Sequence, residues 1–140
     1  MTKTILSLAL IFPALVHAGP LPDQSATVRA VGAKVITKQT EQEDGCRVSR
    51  YIFQSEPRMS MEFRCNRINV AWHQYSEKGF DAKNKTAVAL AQKAAAALSS
   101  GDGREVTEAM QGSTVRSRPT PSGLTVTGSC VLPSCMLTYR

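Results

Sequence analysis

The sequence predicts an α+β fold: an antiparallel sheet of two disulfide-clasped hairpins with an alanine-rich helix packed on one face. Three observations carry this expectation. Two segments, 46–65 and 124–140, place alternating side chains about a central turn, the period of a half-buried strand. Each of those segments holds two of the chain's four cysteines. Between them, residues 81–98 read DAKNKTAVALAQKAAAAL, a run dominated by strong helix formers.

In the first segment, CRVSRYIF and RMSMEFRC flank Gln54-Ser55-Glu56-Pro57, a four-residue turn candidate. Setting Phe53 opposite Arg58 brings Cys46 opposite Cys65. One face then carries Cys46, Val48 and Ile52 against Cys65, Phe63, Met61 and Met59, with Arg50 as the one charged intruder. The other carries Arg47, Ser49, Tyr51 and Phe53 against Arg64, Glu62, Ser60 and Arg58. A slip of one residue would exchange the faces.

The second segment repeats the pattern about Val131-Leu132-Pro133-Ser134. With Cys130 opposite Cys135, Gly128 faces Leu137 and Val126 faces Tyr139, while Thr125, Thr127 and Ser129 meet Arg140, Thr138 and Met136. Directly opposite residues of an antiparallel pair lie at a separation that a disulfide spans. The expected bridges are therefore Cys46–Cys65 and Cys130–Cys135. On loop-closure entropy they contribute about 3 and about 2 kcal/mol.

Residues 68–75, INVAWHQY, extend the sheet. A turn at Asn66-Arg67 would place Ile68, Val70 and Trp72 on the face of Cys65, Phe63 and Met61; a bulge in one long strand is the alternative, since Arg is poorly suited to such a turn. The helical run begins at Asp81, a residue type suited to an N-cap, and closes at Ser-Ser-Gly. A second short helix is expected within 102–111, before a loop at 117–123.

The N-terminus reads as a cleavable signal peptide over residues 1–18. Lys3 gives a positive start, Ile5 to Val16 an uncharged apolar run, and Val16-His17-Ala18 a small-residue cleavage site. No stretch reaches the roughly 20 apolar residues of a membrane-spanning helix. Residues 19–45 are expected to be a flexible leader, with a possible strand at 28–36 and a polar loop at 37–45. The folded α+β domain is then 46–140.

The formal charge of +6 falls to +5 without Lys3 and favours an acidic protein or an anionic polymer as partner. With no Lys/Arg run, nucleic acid is not expected. His73 is the one histidine after the signal segment, and no nucleophile-elbow, HExxH or metal-knuckle spacing accompanies it. No cofactor is expected. Asn84-Lys85-Thr86 matches a glycosylation sequon. The feature that points to a partner is the face bearing Arg47, Arg58 and Arg64 around Tyr51 and Phe53, with Arg67 just beyond. Arginine with aromatics is enriched at protein contacts.

The expected function is that of an exported, disulfide-stabilised binding protein of the inhibitor, immunity or envelope-accessory type, periplasmic or secreted. A small hydrolase acting on an envelope or extracellular polymer, and a basic module binding anionic lipid or polysaccharide, are the alternatives. The export reading predicts that the protein isolated from its native compartment begins at Gly19. N-terminal sequencing that instead finds Met1 or Thr2 would overturn it.

Overall fold

Alternating strands joined by short turns can pair only with their neighbours until a longer excursion brings a new strand alongside. This chain follows that logic twice. The computed structural model describes residues 20–140, so the expected signal segment 1–18 lies outside the described residues. Strands β1 (Thr37–Glu43), β2 (Cys46–Ser55), β3 (Arg58–Phe63) and β4 (Ile68–His73) form one meander. Helices α2 (Asp81–Ser99) and α3 (Arg104–Met110) follow, and then a second meander of β5 (Val115–Pro119), β6 (Thr125–Val131) and β7 (Ser134–Tyr139). The last strand returns to pair with β4, so one seven-stranded antiparallel sheet runs β1-β2-β3-β4-β7-β6-β5.

One face of this sheet is apolar and covered by helices. Met59, Met61, Phe63, Ile68, Val70, Trp72, Leu137, Tyr139 and Val126 are buried there. Helix α2 lies over β3 and β4 and buries Ala87, Ala91, Ala94, Ala95 and Leu98. Small side chains on that stripe bring the helix axis close to the sheet, and the large residues come from the strands. Helix α3 must then sit tight against α2. A Cβ on Gly103 would run into the backbone carbonyl of Gln92, and Gly103 has φ +76°, a conformation that favours glycine.

The two expected disulfides are present, Cys46–Cys65 and Cys130–Cys135, and the C-terminal hairpin has the expected register throughout, from Cys130↔Cys135 to Val126↔Tyr139. The first hairpin does not. Its turn is the shorter Glu56-Pro57, and the register shifts at a bulge between Ile52 and Gln54. Ladder partners become Tyr51↔Met61, Arg50↔Glu62 and Ser49↔Phe63. Tyr51 and Phe53 therefore enter the main core, where Tyr51 packs edge-on against Phe63 at 5.7 Å. Arg50 turns outward to Glu62. The expected register would have buried Arg50 on the apolar face, and an unpaired buried charge is far costlier than a bulge.

Other local expectations are corrected in the same way. The turn after β3 is Cys65-Asn66, closed by the Arg64 N–H donating to Arg67 O at 2.9 Å. The pairing becomes Phe63↔Ile68, two residues from the expected one, so every side chain keeps its face. Residues 28–36 are not a strand. Helix α1 (Gln24–Ala30) takes Val28 instead, started by Asp23, whose side chain accepts from Ala26 N–H at 2.7 Å. Residues 37–43, expected in a loop, are edge strand β1, paired along its whole length with β2 through a turn at Asp44-Gly45. The folded unit thus begins well before Cys46. Phe80, not Asp81, occupies the N-cap of α2, and Asp81 lies in the first turn.

The uncovered face carries a polar network. Glu62 accepts from Arg50 Nε at 3.0 Å and from Arg64 Nε at 2.5 Å, and Arg64 also reaches Glu43 at 2.6 Å. Asn69 donates to Glu62 at 3.2 Å and accepts from the Thr138 hydroxyl at 2.9 Å. Burial pushes the Glu62 pKa up, but hydrogen bonds from Arg64 and Arg50, together with their charges, more than reverse this and hold it below 4.5. A carboxylate depressed in the folded state contributes stability that is present above its unfolded pKa and lost as pH falls through the folded one. Glu62→Gln should therefore lower stability at neutral pH by about 1–3 kcal/mol. The gap from wild type should narrow as pH drops below the ordinary carboxylate value of 4.5. Thermal melts across that range check both; a gap that does not change with pH would contradict the assignment.

Candidate binding tip and its grooves

A two-residue turn between paired strands ordinarily carries polar residues, because it stands in water. The β6–β7 turn does not. Leu132-Pro133 forms the turn itself and Val131 pairs with Ser134 at its base. Val131 is 78%, Leu132 69% and Met136 48% exposed. Among the described residues only Ile36 is a comparably exposed large apolar side chain. The tip is also held firmly. Cys130 and Cys135 bridge directly beneath it with Cα atoms 4.0 Å apart, and Gln74 N–H donates to Pro133 O at 2.8 Å, tying the turn to the end of β4.

Below the disulfide sits Met110, the last residue of α3. Its sulfur lies 3.7 and 3.8 Å from the two bridge sulfurs and accepts from Trp72 Nε1 at 3.3 Å. The same methionine lines two grooves on the helix side. One, of 470 Å³, runs between Leu132 and Pro133 and the segment Gln74–Glu77. The next, of 500 Å³, continues along α2 past Asn84, Lys85 and Val88. On the opposite face of the sheet a depression of 390 Å³ is bordered by Val131, Ser134, Met136, Ser129 and His73. The tip thus projects with concave surface on both sides.

One aromatic residue, Tyr75, lines the helix-side groove. Tyr75 packs edge-on against Phe80 at 5.0 Å, Lys83 lies over the Phe80 ring at 5.4 Å, and His73 is 6.5 Å from Tyr75. Asn84 fixes this corner: its Nδ2 donates to Tyr75 O at 2.7 Å and its Oδ1 accepts from Tyr75 N–H at 3.0 Å. The sequon asparagine is therefore engaged at both ends of its amide, inside a helix.

His73 stands opposite Ser134 in the ladder. Among the described residues no side-chain hydrogen bond joins it to Ser134 or Ser129, and no carboxylate completes a nucleophile–base–orienter chain of the kind acyl transfer uses. The same residues contain no group of three or more His, Cys, Asp or Glu placed to hold a metal. No helix among them is long and apolar enough to cross a membrane.

The arginine residues expected to share one face with two aromatics are dispersed. Arg47 is exposed and pairs across with Gln42, Arg58 is exposed beside the Glu56-Pro57 turn, and Arg67 lies at the β3–β4 turn. Arg64 is engaged by Glu43 and Glu62 on the uncovered face, so it does not stand unbalanced against Arg47. Tyr51 and Phe53 are buried in the core. The sequence reasoning missed the apolar tip, although its signal was present: Val131-Leu132-Pro133 sits inside a cysteine-clasped turn where water-facing residues belong.

No protein-family model matches the chain, and no curated protein or solved structure matches it. The geometry at Asn84 predicts that Asn84→Ala, which strips two hydrogen bonds from the Tyr75 backbone, destabilises the protein by about 1–3 kcal/mol. Chemical denaturation measures this. A change within error of zero would show that the corner is held by packing alone.

Proposed function

We propose that the protein is an exported, non-enzymatic binding domain that engages a partner protein through the clasped β6–β7 tip. Export is supported by the signal-like N-terminus and by two disulfides, which persist in oxidising compartments. The observation that carries the binding reading is the exposure of Val131 and Leu132 at the bridged turn and of Met136 just beyond it on β7. Apolar side chains left in water do nothing for the stability of this fold, whereas contiguous exposed apolar surface is characteristic of contact sites.

The clasp makes the tip suited to that task. A loop already fixed in its bound shape loses little conformational entropy on association, so more of the contact energy is expressed as affinity. A projecting Val-Leu-Pro turn presents an anchor for a partner's concave pocket, and the grooves on either side leave room for that pocket's rim. This arrangement fits an inhibitor or immunity-type protein, which must plug or cap a site on another molecule.

Leu132→Asp combined with Val131→Asp should weaken capture of the partner at least tenfold, with the thermal midpoint unchanged because both side chains already face water. A control with Arg47→Glu and Arg58→Glu should bind to within a few-fold of wild type. Affinity capture from the native envelope or culture fluid, quantified for the three proteins, tests this. If the tip variant captures the partner as well as wild type, the tip is not the contact surface. If the arginine control alone fails, the partner instead reads the basic strand surface.

A further inference from the structure

At the other end of α3 from Met110 a separate cleft of 290 Å³ opens between the α2–α3 turn and the β5–β6 turn. Its lining includes Glu105, Arg104, Arg118, Ser99, Pro119 and Pro121. Glu105 is unusual among these. It is only 6% exposed, and its Oε2 is sealed from solvent with no hydrogen-bond partner. The hydroxyl of Tyr139, fully buried, is likewise unpartnered. Burial first, and then the nearby Glu105 carboxylate, push the Tyr139 pKa up, while Arg118 opposes this. Glu105 is thus a buried carboxylate with an oxygen that no hydrogen bond of the fold engages, next to a Tyr139 hydroxyl in the same state. Such groups destabilise, and they persist where function needs them.

We propose that this cleft binds a small zwitterion of the α-amino-acid class, with its ammonium taken by Glu105 and its carboxylate by Arg104. The charges on the lining select that chemistry. A simple cation would meet Arg104 and Arg118 along with Glu105. A simple anion would meet Glu105 and Asp102, which also lines the cleft. Only a ligand bearing both signs satisfies both groups. Arg118 is already committed, donating to Glu108 at 2.9 Å. Arg104 is 70% exposed and only loosely engaged, at 3.9 Å from Glu108, so it is free to turn onto a carboxylate. The volume lies just under the range of about 300–1,000 Å³ typical of drug-sized ligands, which suits a single amino acid. Pro119 and Pro121 offer apolar wall to a short side chain.

Isothermal titration calorimetry of the purified protein with L-alanine and L-proline tests the proposal, with n-propylamine and propionate as single-charge probes. A saturable zwitterion isotherm with a dissociation constant of about 1 mM or tighter is expected, and each single-charge probe should bind at least tenfold more weakly. Glu105→Gln should cost at least tenfold in that affinity while the unliganded thermal midpoint holds or rises, since a purely structural carboxylate would lower it. No saturation by either amino acid up to about 50 mM overturns the proposal. So does n-propylamine binding as well as L-alanine, or undiminished binding by Glu105→Gln. Should Glu105→Gln fail to fold, Arg104→Ala, a change at an exposed side chain, decides: tenfold weaker binding supports the site and unchanged binding overturns it.

Discussion

The pairing of β4 with β7 is the contact on which the rest of the structure rests. It joins residues about seventy positions apart, as in Ile68↔Tyr139, Val70↔Leu137 and Trp72↔Cys135. Each meander is local and can form from neighbouring segments, but neither alone buries the apolar face that the other completes. Closing so long a loop carries an entropy cost that grows slowly with length, and here no covalent link offsets it. Each disulfide lies within one meander, Cys46–Cys65 in the first and Cys130–Cys135 in the second. They restrict the unfolded hairpins and leave the long-range closure to packing.

That closure is secured on both faces of the sheet. On the covered face the seam side chains Ile68, Val70, Trp72, Leu137 and Tyr139 are fully buried, and α2 and α3, the intervening segment, are what bury them. The excursion that creates the entropy cost therefore also supplies the cover. On the uncovered face hydrogen bonds run from Arg50 through Glu62 to Asn69 and on to Thr138. This chain of contacts crosses β2, β3, β4 and β7. Apolar burial gives the seam its stabilisation, and the polar chain fixes its register, because each member is satisfied only by one alignment.

Both surfaces proposed to bind involve the second meander and α3, with β4 and α2 completing their walls. The tip needs the Cys130–Cys135 bridge and the Met110 beneath it, and the Glu105 cleft needs the first turn of the same helix. Helix α3 packs on α2, where Gly103 leaves no room for a Cβ, and on β5, β6 and β7. In the first meander the charged edge strand β1 and β3 supply carboxylates that engage Arg50 and Arg64, while Arg47 and Arg58 stay exposed. A long edge bearing Lys38, Glu41 and Glu43 also discourages strand-on-strand association.

The sequence by itself determined what is local. Strict alternation and cysteine placement specified the whole C-terminal hairpin and both bridges, and helix propensity specified α2 to within a residue of its end. It also determined which faces of β3, β4 and β7 are apolar, since a shift of two residues leaves the faces unchanged. Tertiary structure alone decided the rest. Strand β1 has no apolar residue to betray it, because an edge strand beyond the reach of the helices is held by backbone bonds to β2. The bulge at Phe53 was invisible because it depends on where Arg50 finds a carboxylate, and Glu62 answers that only once the strands are paired. The Glu105 cleft is formed by two turns that are distant in sequence. Its unpartnered oxygen is a property of what surrounds it, which no local pattern of residues encodes.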